Sequence, residues 1–268
     1  MSRTTARIAT IALLAAPLLA FGAPAVAQQA EAPAAAPRAP ASAEARAAYD
    51  RADPLSRSVF WTEQAELNPM DPVAGVKAAQ AMRELGRYEE AADMAQRVLL
   101  VQPANVEAML EVGRGHIARG QAFYGVSALE RARDANPRDW RAWSLLGTAY
   151  EQVRRSQDAQ SAWAQALALS PDNPDVLTNM AISAMTRGDT AAAEPLLRRA
   201  AAQPGASLKV RLNLAMALGL NGKMDEAEQM MRRDLPPDAA DRNLEWLRAR
   251  TGSAAADQAR TWGSLQGG

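Results

Sequence analysis

The chain has 268 residues, with 30 Lys plus Arg against 30 Asp plus Glu, one His and no Cys. A neutral balance argues against a dedicated nucleic-acid binder, and the missing Cys excludes disulfides, Cys-zinc and iron–sulfur sites and Cys nucleophiles, while a single His argues against a His-built metal site. The chain is 48% apolar but only 5% aromatic, so its apolar share is largely Ala and Leu, which favour helices over strands.

Met1 to Ala27 reads as a secretory signal. Arg3 and Arg7 form a basic start, Ile8 to Phe21 an apolar stretch, and Ala25-Val26-Ala27 a small-x-small cleavage site. The other reading is an uncleaved anchor, which Pro17, Gly22 and Pro24 disfavour. There is no paired Arg for twin-arginine export and no Cys to accept a lipid. Loss of Arg3 and Arg7 leaves 28 basic against 30 acidic side chains. The expected location is the periplasm, and the expected membrane contact is none once the signal is cleaved. Residues 28–52 read as an Ala/Pro-rich linker, because Pro33, Pro37 and Pro40 interrupt any helix.

From residue 53 onward the sequence repeats. Pro69, Pro103, Pro137 and Pro171 stand 34 apart, and Pro204 comes one residue early. Gly86, Gly120, Gly188 and Gly222 share the same grid, with Arg154 at the one point where Gly is missing. Ala91, Gly125, Ala159, Ala193 and Ala227 make a third series. Three registers at one period mark a stacked repeat. Five units start at Pro72, Val106, Trp140, Pro174 and Leu208. A half unit, Leu55 to Leu67, precedes them, and a short helix around Ala239 to Arg250 follows. These pieces are the expected caps of a stack, with Trp61 and Trp246 as anchors. Residues 251–268 read as a flexible tail, in which Trp262 either docks on something or folds back.

The unit from Trp140 carries Trp143, Leu146, Gly147, Tyr150, Ala159, Trp163, Ala166 and Pro171, and so resembles the tetratricopeptide repeat, a pair of antiparallel helices. The resemblance implies an all-α tetratricopeptide-repeat solenoid of about five helix pairs with capping helices over 53–250. It also implies that the first helices of the pairs line a groove that takes a partner segment. The positions facing that groove include Arg114, Arg141, Thr148, Thr178, Asn179, Ile182, Lys209, Asn213 and Met216, which form the candidate partner-binding set. Asn179 and Asn213 are 34 apart, and an amide that donates and accepts suits a peptide backbone; the plainer reading is that each bonds a neighbouring helix. Arg114 and Arg141 either grip an acidic segment or belong to an ion-paired face. Val76 and Gln80 stand where the carboxylate clamp of chaperone-binding repeats needs Lys and Asn, so that clamp is not expected. His116 sits at a packing position. No catalytic set, phosphate loop or carboxylate cluster is evident, so no enzyme activity, cofactor or metal is expected.

Longer strings, among them Ala166-Leu167-Ala168-Leu169-Ser170-Pro171-Asp172-Asn173-Pro174 and Arg233-Asp234-Leu235-Pro236-Pro237, are similar to the tetratricopeptide protein of the Flp (tight-adherence) pilus assembly system of alphaproteobacteria. That resemblance implies an accessory factor whose partner is a pilus secretin or another pilus-assembly subunit. Family members are often described as lipoproteins, and the missing Cys points instead to a soluble adaptor. The alternative is a general periplasmic adaptor for cell-envelope or cell-wall enzymes.

Overall fold

Side-chain caps fix where most of the helices begin. Asp53, Asp71, Asn105, Asp139, Asn173 and Ser207 each accept hydrogen bonds from first-turn amides, which satisfies donors that a helix start leaves open. The last five of these caps stand 34 residues apart. In the computed structural model the described residues are 39–266, with side chains described to 252. The expected signal, Met1–Ala27, and linker residues 28–38 lie outside them. Among the described residues there are thirteen helices and no strand.

The half unit is α2 (Pro54–Leu67). The pairs are α3 (Pro72–Glu84) with α4 (Tyr88–Val101), α5 (Val106–Ala118) with α6 (Ala122–Ala135), α7 (Trp140–Gln152) with α8 (Ser156–Leu169), α9 (Pro174–Thr186) with α10 (Thr190–Ala201), and α11 (Leu208–Leu220) with α12 (Met224–Asp234). Pro69, Pro103, Pro137 and Pro171 each fall two residues past a second helix, where a residue unable to continue the helix belongs. Gly86, Gly120, Gly188 and Gly222 follow the first helices in the left-handed conformation, at φ of 76°, 70°, 84° and 82°.

Within a pair, small residues let the helices touch. A Cβ on Gly147 would lie 2.3 Å from the indole nitrogen of Trp163. Trp163 is 2% exposed and donates from Nε1 to the Ser144 carbonyl at 3.2 Å. Tyr150 closes the same space and donates its hydroxyl to Glu130 at 2.8 Å.

The ends depart from expectation. A further helix, α1 (Ala43–Tyr49), lies inside the expected linker. Ser42 caps it, and its Ala-rich sequence favours it. Tertiary contacts hold it: the Ala41 amide donates to Gln64 at 2.7 Å, and Tyr49 stacks on Phe60. Trp61 is 1% exposed and lies under Arg46 and Lys77. At the other end, α13 (Pro237–Gln266) starts five residues ahead of the repeat grid, because Pro237 is preorganised for a first helical turn. That early start turns Trp246 outward, to 47% exposure, and seats Ala240, Leu244 and Leu247 as the buried cap instead. The backbone is helical through Gln266 where a flexible tail was expected, in keeping with the helix-forming Ala, Gln and Arg of 254–260. The side chain of Trp262 lies outside the described set.

One joint between repeats is unlike the others. From α2 to α12, neighbouring helices pack closely everywhere except between α8 and α9, which touch sparsely. The buried apolar residues divide close by, within α9. One cluster runs from Phe60 to Val176 and another from Ala181 to Leu247, with Leu177, Ala200 and Val210 forming a small third cluster.

Candidate partner-binding cleft

The first helices of the early repeats are tied together by ion pairs. Glu111 on α5 has no exposed surface, and Arg83 of α3 (2.8 Å) and Arg114 (2.6 Å) hold its carboxylate. Arg141 on α7 reaches Asp139 at 2.7 Å and Glu107 of α5 at 2.6 Å. The Asp139 and Glu107 bonds hold the Arg141 guanidinium above its ordinary pKa. Burial pushes the Asp139 carboxyl up, but the hydrogen bonds from Arg141 outweigh it and leave the pKa below the ordinary value. Arg114 and Arg141 are therefore engaged inside the chain, as links in an ion-paired face.

Past this ladder the face opens. A cleft of about 590 Å³ lies where α8 and α9 separate. Thr148 and Glu151 of α7 form one wall, and Asn179, Ile182, Ser183 and Arg187 form the other. Trp163 lies at its floor beneath Gly147, and Arg154 and Ser156, from the turn into α8, border it. Glu151 crosses the cleft: its Oε1 accepts from the Ser183 hydroxyl at 2.8 Å and from Arg187 Nη1 at 3.2 Å. Its Oε2 is buried and has no partner. A buried carboxylate oxygen left unpaired is costly. Asn179 is half-buried, and its side chain makes no hydrogen bond among the described residues.

Of the nine candidate residues, the structure brings Thr148, Asn179 and Ile182 together in this cleft. Thr178 is not part of it. It is 3% exposed, and its hydroxyl donates to the Pro174 carbonyl one turn back at 2.6 Å, a bond that Thr commonly makes in helices. Lys209 is exposed in the first turn of α11, and Met216 is half-buried against the C-terminal core. Asn213 lies on α11, with its Nδ2 buried and unpartnered. His116 is half-buried beside Tyr124, and burial, reinforced by Arg119, holds its pKa below the ordinary value. The candidate set missed Glu151, Gln152, Arg154, Ser156, Trp163, Ser183, Thr186 and Arg187. Arg154 carried a signal as the break in the glycine series, and Trp163 as a packing residue of the repeat signature. Among the described residues no group of three His, Asp or Glu side chains is placed to hold a metal ion, and no helix is long and apolar enough to cross a membrane.

A model of the tetratricopeptide repeat family matches residues 76–122, 114–175 and 178–240, more than half of the chain. No curated protein matches it. Among solved structures, a thermophilic tetratricopeptide protein of Thermus thermophilus is 22% identical, with 65% of this chain and 93% of that chain covered and a TM-score of 0.55. The pilF protein of Pseudomonas aeruginosa is 18% identical over 71% of this chain and 90% of that chain, with a TM-score of 0.54. MamA of Desulfovibrio magneticus is 22% identical over 59% and 89%, with a TM-score of 0.51. At these identities the likeness is one of fold.

Proposed function

The chain belongs to the tetratricopeptide repeat family, and we propose that it is an exported, non-catalytic scaffold that binds an extended segment of a partner protein in the cleft between α7 and α9. The observation that carries this reading is the cleft itself. Between α2 and α12 the stack opens at one joint, and the wall there offers the unpaired amide of Asn179. A peptide backbone carries a C=O that accepts from the Asn179 Nδ2 and an N–H that donates to its Oδ1. Ile182 adds an apolar contact beside them.

Export to the periplasm rests on the pattern of Met1 to Ala27. The client we assign is a pilus secretin or another subunit of a Flp-type pilus assembly system, on the strength of the sequence strings between Asp53 and Arg250. The fold shared with pilF agrees with a scaffold role and does not itself name the client.

The test is co-purification from detergent-solubilised envelopes, with the wild type beside Asn179→Ala. The wild type is expected to recover a pilus secretin or assembly subunit, and Asn179→Ala to recover it with affinity lower by about 1–3 kcal/mol, the cost of leaving buried peptide groups unpaired. Recovery of cell-wall enzymes alone, with piliation intact in a deletion strain, overturns the pilus reading. Equal recovery by both proteins overturns the cleft.

A further inference from the structure

Two non-glycine residues among those described adopt the left-handed conformation, Arg154 at φ 62° and Asp172 at φ 56°. They occupy the turns at either end of α8, on both sides of the open joint. Non-glycine residues in this region are strained, and such strain persists where the surroundings or the function require it. Asp172 has a local explanation, because Arg199 holds its carboxylate at 2.5 Å. Arg154 has none. Its position is glycine in four other repeats, at Gly86, Gly120, Gly188 and Gly222. Among the described residues its guanidinium makes no hydrogen bond or ion pair, although the neighbouring Arg155 pairs with Asp158 at 2.7 Å.

What Arg154 does have is a place on the cleft. The charged groups of the described lining are Glu151, Arg154 and Arg187. Glu151 and Arg187 already pair with each other. One positive charge is left over, and it is the one carried on the strained turn. We propose that Arg154 is the specificity-determining residue of the cleft and that the bound segment carries an Asp or Glu side chain that pairs with it. This rests on the cleft being the binding site. A guanidinium offers a carboxylate two parallel donors, so a side chain that is unfavourable for the turn adds discrimination that glycine cannot. Asn179 holds the segment's main chain, and Arg154 reads its charge.

The experiment uses the purified chain and a display library of random twelve-residue peptides, tethered through their C-termini so that no terminal carboxylate is free. Selection on the wild type is expected to enrich Asp and Glu, and selection on Arg154→Glu to lose that bias in favour of Lys and Arg. A synthetic acidic peptide from the first selection should bind Arg154→Gly about tenfold more weakly, and Arg154→Lys should recover part of the loss. The thermal midpoint of Arg154→Gly should not fall, which separates lost recognition from lost fold. Selected peptides without acidic bias, or equal affinity for wild type and Arg154→Gly, overturn the assignment to Arg154. If those peptides still lose affinity for Asn179→Ala, the cleft stands without its acidic specificity. Peptides indifferent to both substitutions overturn the cleft as well.

Discussion

The joint between α4 and α5 and the joint between α8 and α9 are made by equivalent positions of the same repeat, and they behave in opposite ways. At the first, Gly115 lies against Ala92, where an added Cβ would sit 2.8 Å from both the Ala92 methyl and the Tyr88 carbonyl oxygen. At the second, 68 residues further on, Ser183 and the exposed Gln160 occupy the corresponding places. The Ser183 hydroxyl turns to Glu151 rather than to α8. Small apolar residues exclude water and let backbones meet, whereas a hydroxyl bonded away from α8, with an exposed amide side chain opposite, does not draw the two helices together. The later joint between α10 and α11 shows that a polar residue at this position can still close. There Glu194 takes hydrogen bonds from Lys223 at 2.7 Å, Arg198 at 2.9 Å and Asn221 at 3.0 Å. A polar joint thus closes when its groups are satisfied across it, and opens when they are satisfied on one side.

The largest test of this contrast is Glu111→Ala. It leaves Arg83 and Arg114 beside a void in the closed face, and urea unfolding should show a loss of about 3 kcal/mol. Gly115→Ala forces the closed joint apart and should cost about 2 kcal/mol. Ser183→Ala, at the equivalent position in the open joint, removes one hydrogen bond and should cost about 1 kcal/mol or less. If the two substitutions cost the same, the contrast between the joints fails. Arg154→Gly relieves the left-handed turn and should stabilise the fold by about 1 kcal/mol, raising the thermal midpoint by roughly 2–4 °C. The smallest effect concerns pH. Lys223 first, then Asn221 and Arg198, pull the Glu194 pKa from 4.5 down to about 2. The folded-state value lies below the ordinary one, so its contribution is complete above pH 4.5 and is lost as pH falls toward 2. The difference in thermal midpoint between wild type and Glu194→Gln should therefore shrink across that window. A constant difference would mean that the Glu194 charge does not close the joint.

The repeat grid was legible because it is written in local backbone chemistry. Prolines after second helices, glycines after first helices and capping Asp, Asn and Ser all act on their own turns, so their spacing alone located the helix pairs. The cleft was less legible because it depends on pairing across elements. Arg114 and Arg141 occupy groove-facing positions in the repeat, yet nothing in their spacing says that Glu111, Glu107 and Asp139 already hold them. Thr178 and Asn179 are adjacent in sequence, and one turns its hydroxyl back onto its own helix while the other enters the cleft. Trp246 looked like the anchor of the last helix by size alone, and a helix start moved by Pro237 gave that place to Leu244 and Leu247. Arg154 was visible as a missing glycine, but its meaning needed the backbone angle and the empty space beside its side chain.

Site-specific photocrosslinking tests the central claim most directly. A benzoylphenylalanine replacing Thr148 reports on the cleft, and one replacing Gln80, on the first helix of the first repeat, reports on a smaller hollow of about 270 Å³ away from the open joint. Irradiation of intact envelopes is predicted to give a partner adduct from position 148 and none from position 80. An adduct from position 80 alone, or from both in equal yield, would contradict the assignment of partner binding to the open joint.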